Sequence, residues 1–469
     1  MIPEGANLLY LCTMSPLFNS LVVLAIVLLI ARFIKRGSGL LQKFFIPSSL
    51  VAGVGGLILG PQILGTIPAE VTDYWAQFPK YLINIVFAGL FLGKFIPSAK
   101  EVWRQAGPMI AFGSTMAWAQ YVVGIIVTAL FLVPVFGANP LAASLIEISF
   151  AGGHGTAAGL APTFSQLGWP EGTDIALGLA TLSIVVAVTS GILFVNLYHR
   201  MNNRAVSEDH WRLQRQRMIR SGYNLIRFSE KISTNPKAIA INAAAFSVAI
   251  GIGWLLLKGL QLGEEWILAG FTDTRFFAFV PLFPLAMIGG LIVQLILKKF
   301  HKQHFIQRRT AEIFSAIALD LLIASAIATV SLNVIGDNLP IFMALGLSGI
   351  IIIVSSLFSL APRMFSADWF ERGITDYGQA MGMTATGLLM NRLVDPANKL
   401  KIRESFAYKQ LVFEPFMGGG IVTATSVIFM AEFGLAPVLV VSFSAMLFWL
   451  TVGLWMGAKR KQKSLSRYL

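Results

Sequence analysis

The residues best suited to chemistry lie in one short string inside an apolar stretch, which reads SFAGGHGTAAG from Ser149 to Gly159. Glycine fills three of the four positions from Gly152 to Gly155, so the backbone can unwind and turn its carbonyls and amides toward a bound molecule. Irregular backbone at membrane depth is tolerated only where protein buries it or where it lines a cavity. The string therefore predicts the tip of a re-entrant hairpin, over about 141–167, at a binding site.

A second segment of similar composition follows in the other half of the chain, over about 372–394. A sodium ion prefers oxygen ligands, and an unwound helix offers free carbonyls that neighbouring hydroxyls can complement. A half-helix N-terminus offers the opposite pole, because its free amides can hold a carboxylate without an arginine. Two such tips are therefore expected to hold a cation and an anion close together.

The candidate substrate-binding residues are those of the two tips and one arginine beyond the second: Gly152, Gly153, His154, Gly155, Thr156, Gly382, Thr384, Thr386 and Arg392. The candidate sodium ligands are Glu147, Ser149, Thr156 and Thr384. Each has a plainer alternative, since a hydroxyl can bond back to its own helix and a single membrane histidine is commonly a structural hydrogen-bond partner. Arg392 can pair with Asp395 as a hinge or contact a second carboxylate of the substrate.

Four ionisable residues lie within predicted apolar spans, where each costs about 2.5–3.5 kcal/mol on insertion scales: Glu147, Asp320, Glu414 and Lys94. Glu147 lies six residues before Gly153, and it can ligate a cation or carry a proton. Glu414 lies near the entrance of its span, which also suits a plain interfacial position. Asp320 has a stripe of hydroxyls nearby that can hydrate it.

The composition places the chain in a membrane, with 56% hydrophobic and 13% charged residues, whereas soluble domains carry roughly 25% charged residues. The formal net charge of +13 does not indicate nucleic acid, because the basic residues fall in bursts between apolar segments. The single cysteine, Cys12, excludes an internal disulfide, and we expect no resident cofactor. The apolar run 8–34 is too long for a signal peptide and is expected to remain as the first helix.

Runs of about 20 apolar residues predict eleven membrane spans. They lie near 12–34, 45–65, 80–98, 108–135, 173–198, 238–258, 277–298, 311–334, 340–361, 411–432 and 435–457. Basic clusters follow the odd-numbered spans, whereas acidic residues populate the opposite loops. By the positive-inside rule, the chain is expected to begin outside and to end in the cytoplasm, in the inner (plasma) membrane of the cell.

This topology requires each glycine-rich segment to enter and leave on one side of the membrane, the first outside and the second inside. Each segment lies between the fourth and fifth spans of its half, so the two halves form an inverted repeat in an all-α protein. We expect a first repeat at 1–198, a basic cytoplasmic linker at 199–237, a second repeat at 238–432 and an added span with a basic tail at 433–469. The alternative is that the glycines only allow close helix packing.

The motifs resemble those of the bacterial sodium/glutamate symporter family. The resemblance rests on GGHGT at 152–156, IP at 46–47 with VAG at 51–53, GQAMGMTAT at 378–386 and PFMG at 415–418, and it runs from about 12 to 432. It implies a homodimeric carrier that imports L-glutamate with sodium by moving a transport domain against a dimer scaffold. The second tip departs from the family pattern, because TAT stands at 384–386 where the family has TPT, and the substrate therefore stays open.

Other classes of function fit the sequence less well. Neither HExxH nor GxSxG occurs, so we do not expect an enzyme. A channel can use re-entrant loops, but it seldom needs two inverted ones. The remaining alternative is a sodium- or proton-coupled carrier of another small organic anion or amino acid. In either carrier, an alanine at Gly153 or at Gly155 is expected to abolish uptake, because the methyl group blocks a positive φ and close approach to the backbone.

The predicted topology can be tested at the linker 199–237. A cysteine introduced as Ser207→Cys should react with membrane-impermeant thiol reagents only from the cytoplasmic side, because the basic clusters keep this segment inside. The measurement is labelling of intact cells against labelling of inside-out vesicles. Labelling from outside intact cells would contradict the two-hairpin topology.

Overall fold

A computed structural model of the chain describes residues 15–43, 46–201, 236–268, 276–365, 368–396 and 398–465. Within these ranges every regular element is a helix, as the composition predicts. Cys12, Ser207 and most of the expected linker 199–237 lie outside the described residues.

We label the main helices in chain order. The first eight are α1 Pro16–Gly37, α2 Ser48–Leu59, α3 Ala69–Ala88, α4 Ala99–Val127, α5 Leu145–Phe150, α6 Gly153–Gly159, α7 Ala161–Gln166 and α8 Glu171–Met201. The other eight are α9 Pro236–Leu268, α10 Leu282–Lys299, α11 Arg308–Ala328, α12 Leu339–Ser359, α13 Trp369–Val394, α14 Ile402–Phe413, α15 Ile421–Phe433 and α16 Leu435–Leu465. Shorter helical turns lie at Gly39–Lys43, Thr128–Leu132, Val133–Phe136, Pro140–Ser144, Phe276–Ala278, Gln303–Phe305, Leu332–Asp337 and Ala361–Met364.

In the described part of the chain, eight helices are long and apolar enough to cross a membrane: α1, α4 with its continuation to Phe136, and α8 to α12 and α16. The other three predicted spans differ from the helices found there. The span expected at 45–65 is the 12-residue α2, which ends before Gly60. The span expected at 80–98 is α3, which begins earlier, at Ala69, directly after Pro68. Its first half was not predicted, because Glu70 and Asp73 interrupt the apolar pattern there.

The third difference is a break within the tenth predicted span, 411–432. Helix α14 ends at Phe413 and α15 begins at Ile421, and the turn between them contains Gly418 at φ +65° and Gly419 at φ +103°. Glycine adopts these conformations without the clash that a Cβ atom would cause. We call residues 414–420 the glycine turn.

Two further breaks fall at the predicted tips. The first separates α5 from α6, where Gly153 has φ +72°. The second interrupts α13 at Gly382 and Met383, the latter with φ +64°. The two arms of α13 lie against each other, because a Cβ at Gly378 would lie 2.8 Å from Met390 Cγ. The chain therefore doubles back at the second break.

The helices pack in two groups. The main core lies between α4–α8 and α12–α15, with Phe150, Tyr377 and Phe406 almost completely buried. Smaller clusters join α1, α2, α3 and α11, and join α3, α9 and α10. Glycines bring the second group close: a Cβ at Gly53 of α2 would lie 2.6 Å from Ile327 Cβ of α11, and Gly290 of α10 lies against the Ala88 carbonyl of α3. Close glycine contacts are a common means of helix association in membranes.

The contact between α9 and α10 gives a matched test of this packing. A Cβ at Gly253 would lie 2.5 Å from the Ala286 backbone nitrogen, whereas a Cβ at Gly251, two residues earlier on the same helix, has no atom within 4 Å. Gly253→Ala should therefore cost about 1–3 kcal/mol through overpacking, seen as a lower melting temperature of the purified protein. Gly251→Ala is the control, and equal melting temperatures for the two variants would contradict the close crossing.

Candidate functional site

A cavity of about 900 Å³ lies between the two groups of helices. One wall comes from α3 and α11, with Ile83, Phe87 and Leu319. The opposite wall carries the broken helices: Gly152, Gly155, Thr156, Gln379, Met383, Thr384, Gln410, Glu414 and Gly418. This volume is at the upper end of the range of small-molecule sites, and the lining combines apolar side chains with a few polar groups, as in such sites. The structure thus brings both predicted tips and the glycine turn to one cavity.

At the first break, the three predicted side chains Thr156, His154 and Ser149 have different surroundings. Thr156 Oγ1 donates to the Gly152 carbonyl at 3.1 Å, which is the back-bonding alternative considered for a hydroxyl. His154 is fully buried and does not line the cavity; its Nε2 lies 2.9 Å from Thr181 Oγ1 of α8. His154 Nδ1 has no hydrogen-bond partner among the described residues. Ser149 Oγ is likewise buried and without such a partner.

The second break faces the first. A Cβ at Gly153 would lie 3.3 Å from the sulfur of Met383, so the two tips touch. Thr386 Oγ1 donates to the Gly382 carbonyl at 2.5 Å, again within its own segment. Thr384 Oγ1 instead donates to an acceptor outside its own helix, Glu414 Oε1, at 2.7 Å. Of the hydroxyls at this break, Thr384 is therefore the one that faces the cavity.

The glycine turn is held to the first break by Glu147. This carboxylate is fully buried and accepts three hydrogen bonds: from Tyr121 Oη at 2.8 Å, from the Gly418 backbone N–H at 2.8 Å and from Thr423 Oγ1 at 3.0 Å. All three donors are neutral. A buried carboxylate held only by neutral donors either carries a proton or needs a cation close by.

The remaining candidates lie away from the tips. Arg392 is half-buried beyond the second break, and Asp395 accepts hydrogen bonds from the backbone N–H groups of Lys399 and Leu400. Asp320 pairs with Arg32 of α1 at 3.3 Å, so an ion pair and not the hydroxyl stripe compensates it. Within the described ranges, no group of three or more His, Cys, Asp and Glu side chains could hold a metal ion.

The sequence analysis missed two groups at this site. Asp376 and Lys409 form a fully buried ion pair, with Lys409 Nζ 3.2 Å from Asp376 Oδ1 and 2.8 Å from Gln379 Oε1. The glycine turn was also missed, although the run of three glycines at 418–420 after Pro415 could have revealed it. For the ion pair, the one signal in the sequence was that Asp376 and Lys409 are charged residues within helical segments.

Broken helices that meet at a cavity inside a helical bundle are typical of membrane transporters built on discontinuous helices. The chain belongs to the sodium/glutamate symporter family, because a sequence model of that family matches residues 16–391. The match covers both predicted tips and ends within the second arm of α13, short of the 432 that the resemblance suggested. A comparison with curated proteins finds no match for this chain.

Family membership makes this protein a sodium-coupled glutamate symporter of the membrane, as the motifs predicted. It points to a transporter rather than to an enzyme. The coupling ion of the family is sodium, its substrate is glutamate, and the long apolar helices agree with a multi-pass membrane protein.

Because of their different surroundings, we expect different effects of an alanine at Gly153 and at Gly155 on uptake. Gly153→Ala should abolish uptake, because φ +72° costs an L-residue about 1–2 kcal/mol and the methyl group would press on Met383. For Gly155 the expectation is corrected: its φ is not positive, and a Cβ would lie 3.5 Å from Ile83 Cδ1, which is ordinary contact. Gly155→Ala should therefore keep most of its uptake. The measurement is sodium-dependent glutamate uptake at matched expression, and equal loss in both variants would contradict this account.

Proposed function

We propose that this protein imports L-glutamate with sodium by alternating access, and that the substrate lies in the cavity between the two tips. The observation that carries the proposal is that Gly152, Thr156, Met383 and Thr384, from two breaks far apart in the sequence, line one cavity of suitable size. The second arm of α13 begins at this cavity, and the first turn of a helix presents unpaired N–H groups and a positive dipole end. These groups suit a substrate carboxylate.

The proposed substrate site consists of the residues that face the cavity, with Gly152, Thr156 and Thr384 at its centre and Gly155 at its edge, beside Ile83. Gly153, Gly382 and Thr386 contribute by shaping the backbone at the two breaks. At the second break, for example, Thr386 donates to the Gly382 carbonyl. His154 holds the first break on the side away from the cavity, through its hydrogen bond with Thr181. Arg392 stays a proposed contact only for a substrate group that extends beyond the second tip.

The proposed sodium site lies behind the first tip. Glu147 supplies a carboxylate without a described cationic partner, Ser149 supplies a buried hydroxyl without a partner among the described residues, and Thr156 lies close to Gly419 of the glycine turn. Three of the roughly four acceptor positions of Glu147 are used, which leaves room for one small cation. Thr384 is assigned to the substrate, because it lines the cavity, where its hydroxyl donates to Glu414 on the same wall.

The proposal includes the inverted repeat and the domain boundaries given above. Two contacts support it: α2 packs on α11 at Gly53, and α10 packs on α3 at Gly290. In each, the second span of one half meets the third span of the other, as a two-fold axis in the membrane plane requires. On this reading, α1–α3 with α9–α11 form the scaffold of a homodimer, and the helices of the main core form the transport domain.

The orientation is also part of the proposal. Lys94, Arg308 and Glu404 lie at one end of the cavity, and the positive-inside rule assigns the loops around Lys94 and Arg308 to the cytoplasm. The cavity then opens inward, with the N-terminus outside and the C-terminus in the cytoplasm.

The decisive experiment is uptake by proteoliposomes, with the sodium and pH gradients varied separately against a panel of small anions and amino acids. We expect saturable L-glutamate uptake that stops when the sodium gradient is collapsed. Uptake driven by a pH gradient alone, or a stronger response to another anion, would favour the alternative carrier. Flux that does not saturate would contradict a carrier.

Glu147→Gln separates the two roles open to this carboxylate. The amide keeps an oxygen for Gly418 and Thr423 while removing the charge, so we expect the sodium concentration for half-maximal uptake to rise by about tenfold, as for the loss of one charged ligand. If Glu147 carries protons, the variant should instead lose pH-driven uptake and keep substrate exchange. Glu171→Gln, an exposed carboxylate at the start of α8, is the control. Normal uptake with unchanged sodium dependence would make Glu147 a structural group.

A further inference from the structure

The buried pair of Asp376 and Lys409 takes no part in the site proposed above. Lys409 Nζ lies 3.2 Å from Asp376 Oδ1 and donates to Gln379 Oε1 at 2.8 Å. The same atom lies 3.9 Å from the ring centroid of Phe413 and 5.5 Å from that of Phe406. Carboxylate and amide oxygens together with aromatic faces are what a cation binds best in a protein interior. We call this arrangement the cation pocket.

The cation pocket adjoins the substrate cavity. Gln379 and Phe406 belong to both, since each also lines the cavity. Asp376 lies in the first arm of α13, six residues before the break at Gly382. Gln379 also lies close to the glycine turn, because a Cβ at Gly418 would be 3.7 Å from Gln379 Nε2. A change of occupant in the pocket therefore acts directly on two of the three breaks.

The carboxylate of Asp376 has unused capacity. It is fully buried, and neither of its oxygens accepts a well-aligned hydrogen bond from a described residue, although the ammonium lies within ion-pair distance. An ionised carboxylate offers about four acceptor positions. A buried ion pair is favourable only when such positions are filled. The pocket therefore has room for a small, hard cation with oxygen ligands.

The side chain of Lys409 packs against a glycine of α4. Its side chain passes α4 at Gly113, where a Cβ would lie 2.6 Å from Lys409 Cε and 2.8 Å from Nζ. The long lysine stem is flexible, and its ammonium is a compact point charge that moves readily between partners. Glu414, a second carboxylate, follows Lys409 by five residues at the end of α14 and lines the cavity.

We propose that the cation pocket is a second ion site, in which the ammonium of Lys409 and a sodium ion compete for Asp376 and Gln379. The inference rests on the proposed function and deepens it. Lys409 is the built-in cation that neutralises Asp376 when the carrier holds no sodium, since a buried carboxylate without a cation is strongly unfavourable. When sodium enters, Lys409 turns toward Glu414, which also holds Thr384 of the second tip. Lys409 lies beyond the residues that the family model matches.

The test is sodium binding by the full-length purified protein without glutamate. The readout is the sodium concentration that gives half of the rise in melting temperature, with choline replacing sodium at constant ionic strength. In Lys409→Gln this concentration should fall by about tenfold, because the competing charge is gone. In the double variant Asp376→Asn with Lys409→Gln it should rise by about tenfold, because the carboxylate is gone. Wild-type sodium dependence in both variants would overturn the second site.

The double variant also covers a failure of Lys409→Gln to fold. It leaves no uncompensated charge in the pocket, so it should fold, and its sodium dependence then decides the question alone: a rise supports the site and an unchanged value overturns it. Because no glutamate is present, this result is independent of transport. Wild-type proteoliposomes that show no sodium-driven glutamate uptake would contradict the proposed function, whatever the melting temperatures are.

A matched pair of glycine variants perturbs the ammonium without removing a charge. Gly113→Ala places a methyl group against Lys409 Cε and Nζ and should lower the half-maximal sodium concentration, in the same direction as Lys409→Gln. Gly107→Ala is the control on the same helix, because its methyl group meets the flexible end of another side chain, Met456 Cε, at 2.9 Å. Equal sodium dependence in the two glycine variants would contradict competition by Lys409.

Discussion

Backbone polar groups that lose their helical partners inside a membrane must find other partners in the protein, and this constraint organises the whole structure. Three helices are broken, at Gly153, at Gly382 and Met383, and in the glycine turn. None of them could face lipid alone. They are brought together instead, with Glu147 accepting the N–H of Gly418 and with Met383 lying against Gly153. The cavity exists where these breaks meet, so the site follows from the way in which the breaks are satisfied.

Two buried carboxylates solve the problem of burial in different ways. Glu147 is surrounded by neutral donors, whereas Asp376 faces the ammonium of Lys409. A group held only by neutral dipoles gains strongly from a bound cation, and a group that already has a cation gains only by exchanging it. If both take part in coupling, the first responds to sodium by binding it and the second by releasing a lysine. The two responses meet in the residues around the glycine turn, which contacts both Glu147 and Gln379.

The sequence predicted the helical fold, the membrane setting and the positions of two of the three helix breaks, because apolar runs and glycine clusters are local signals. It predicted the limits of α3 and of the tenth span less well. Glu70 and Asp73 interrupt the apolar pattern of α3, and Gly418 and Gly419 were counted as small residues of a span. The contact of Glu147 with the glycine turn joins residues 271 positions apart. Such a contact depends on how helices pack, and no local pattern encodes it.

The Asp376–Lys409 pair was not predicted for the same reason, since a position near the membrane surface was plausible for each charge and only the fold shows that both are buried.

Arg308, one of the charged residues that line the cavity, gives the opposite case, because its type suggests a role in binding that its contacts do not support. Arg308 looks suited to a substrate carboxylate, but its guanidinium already donates to the Gly89 and Leu92 carbonyls and to Glu312. It therefore fixes the end of α3, which forms the cavity wall. In the site proposed here, recognition of the anion close to the tips rests on backbone N–H groups and on Thr156 and Thr384. Because backbone groups bind any carboxylate, selectivity for glutamate must come from the distance between the two tips and the shape of the wall that faces them.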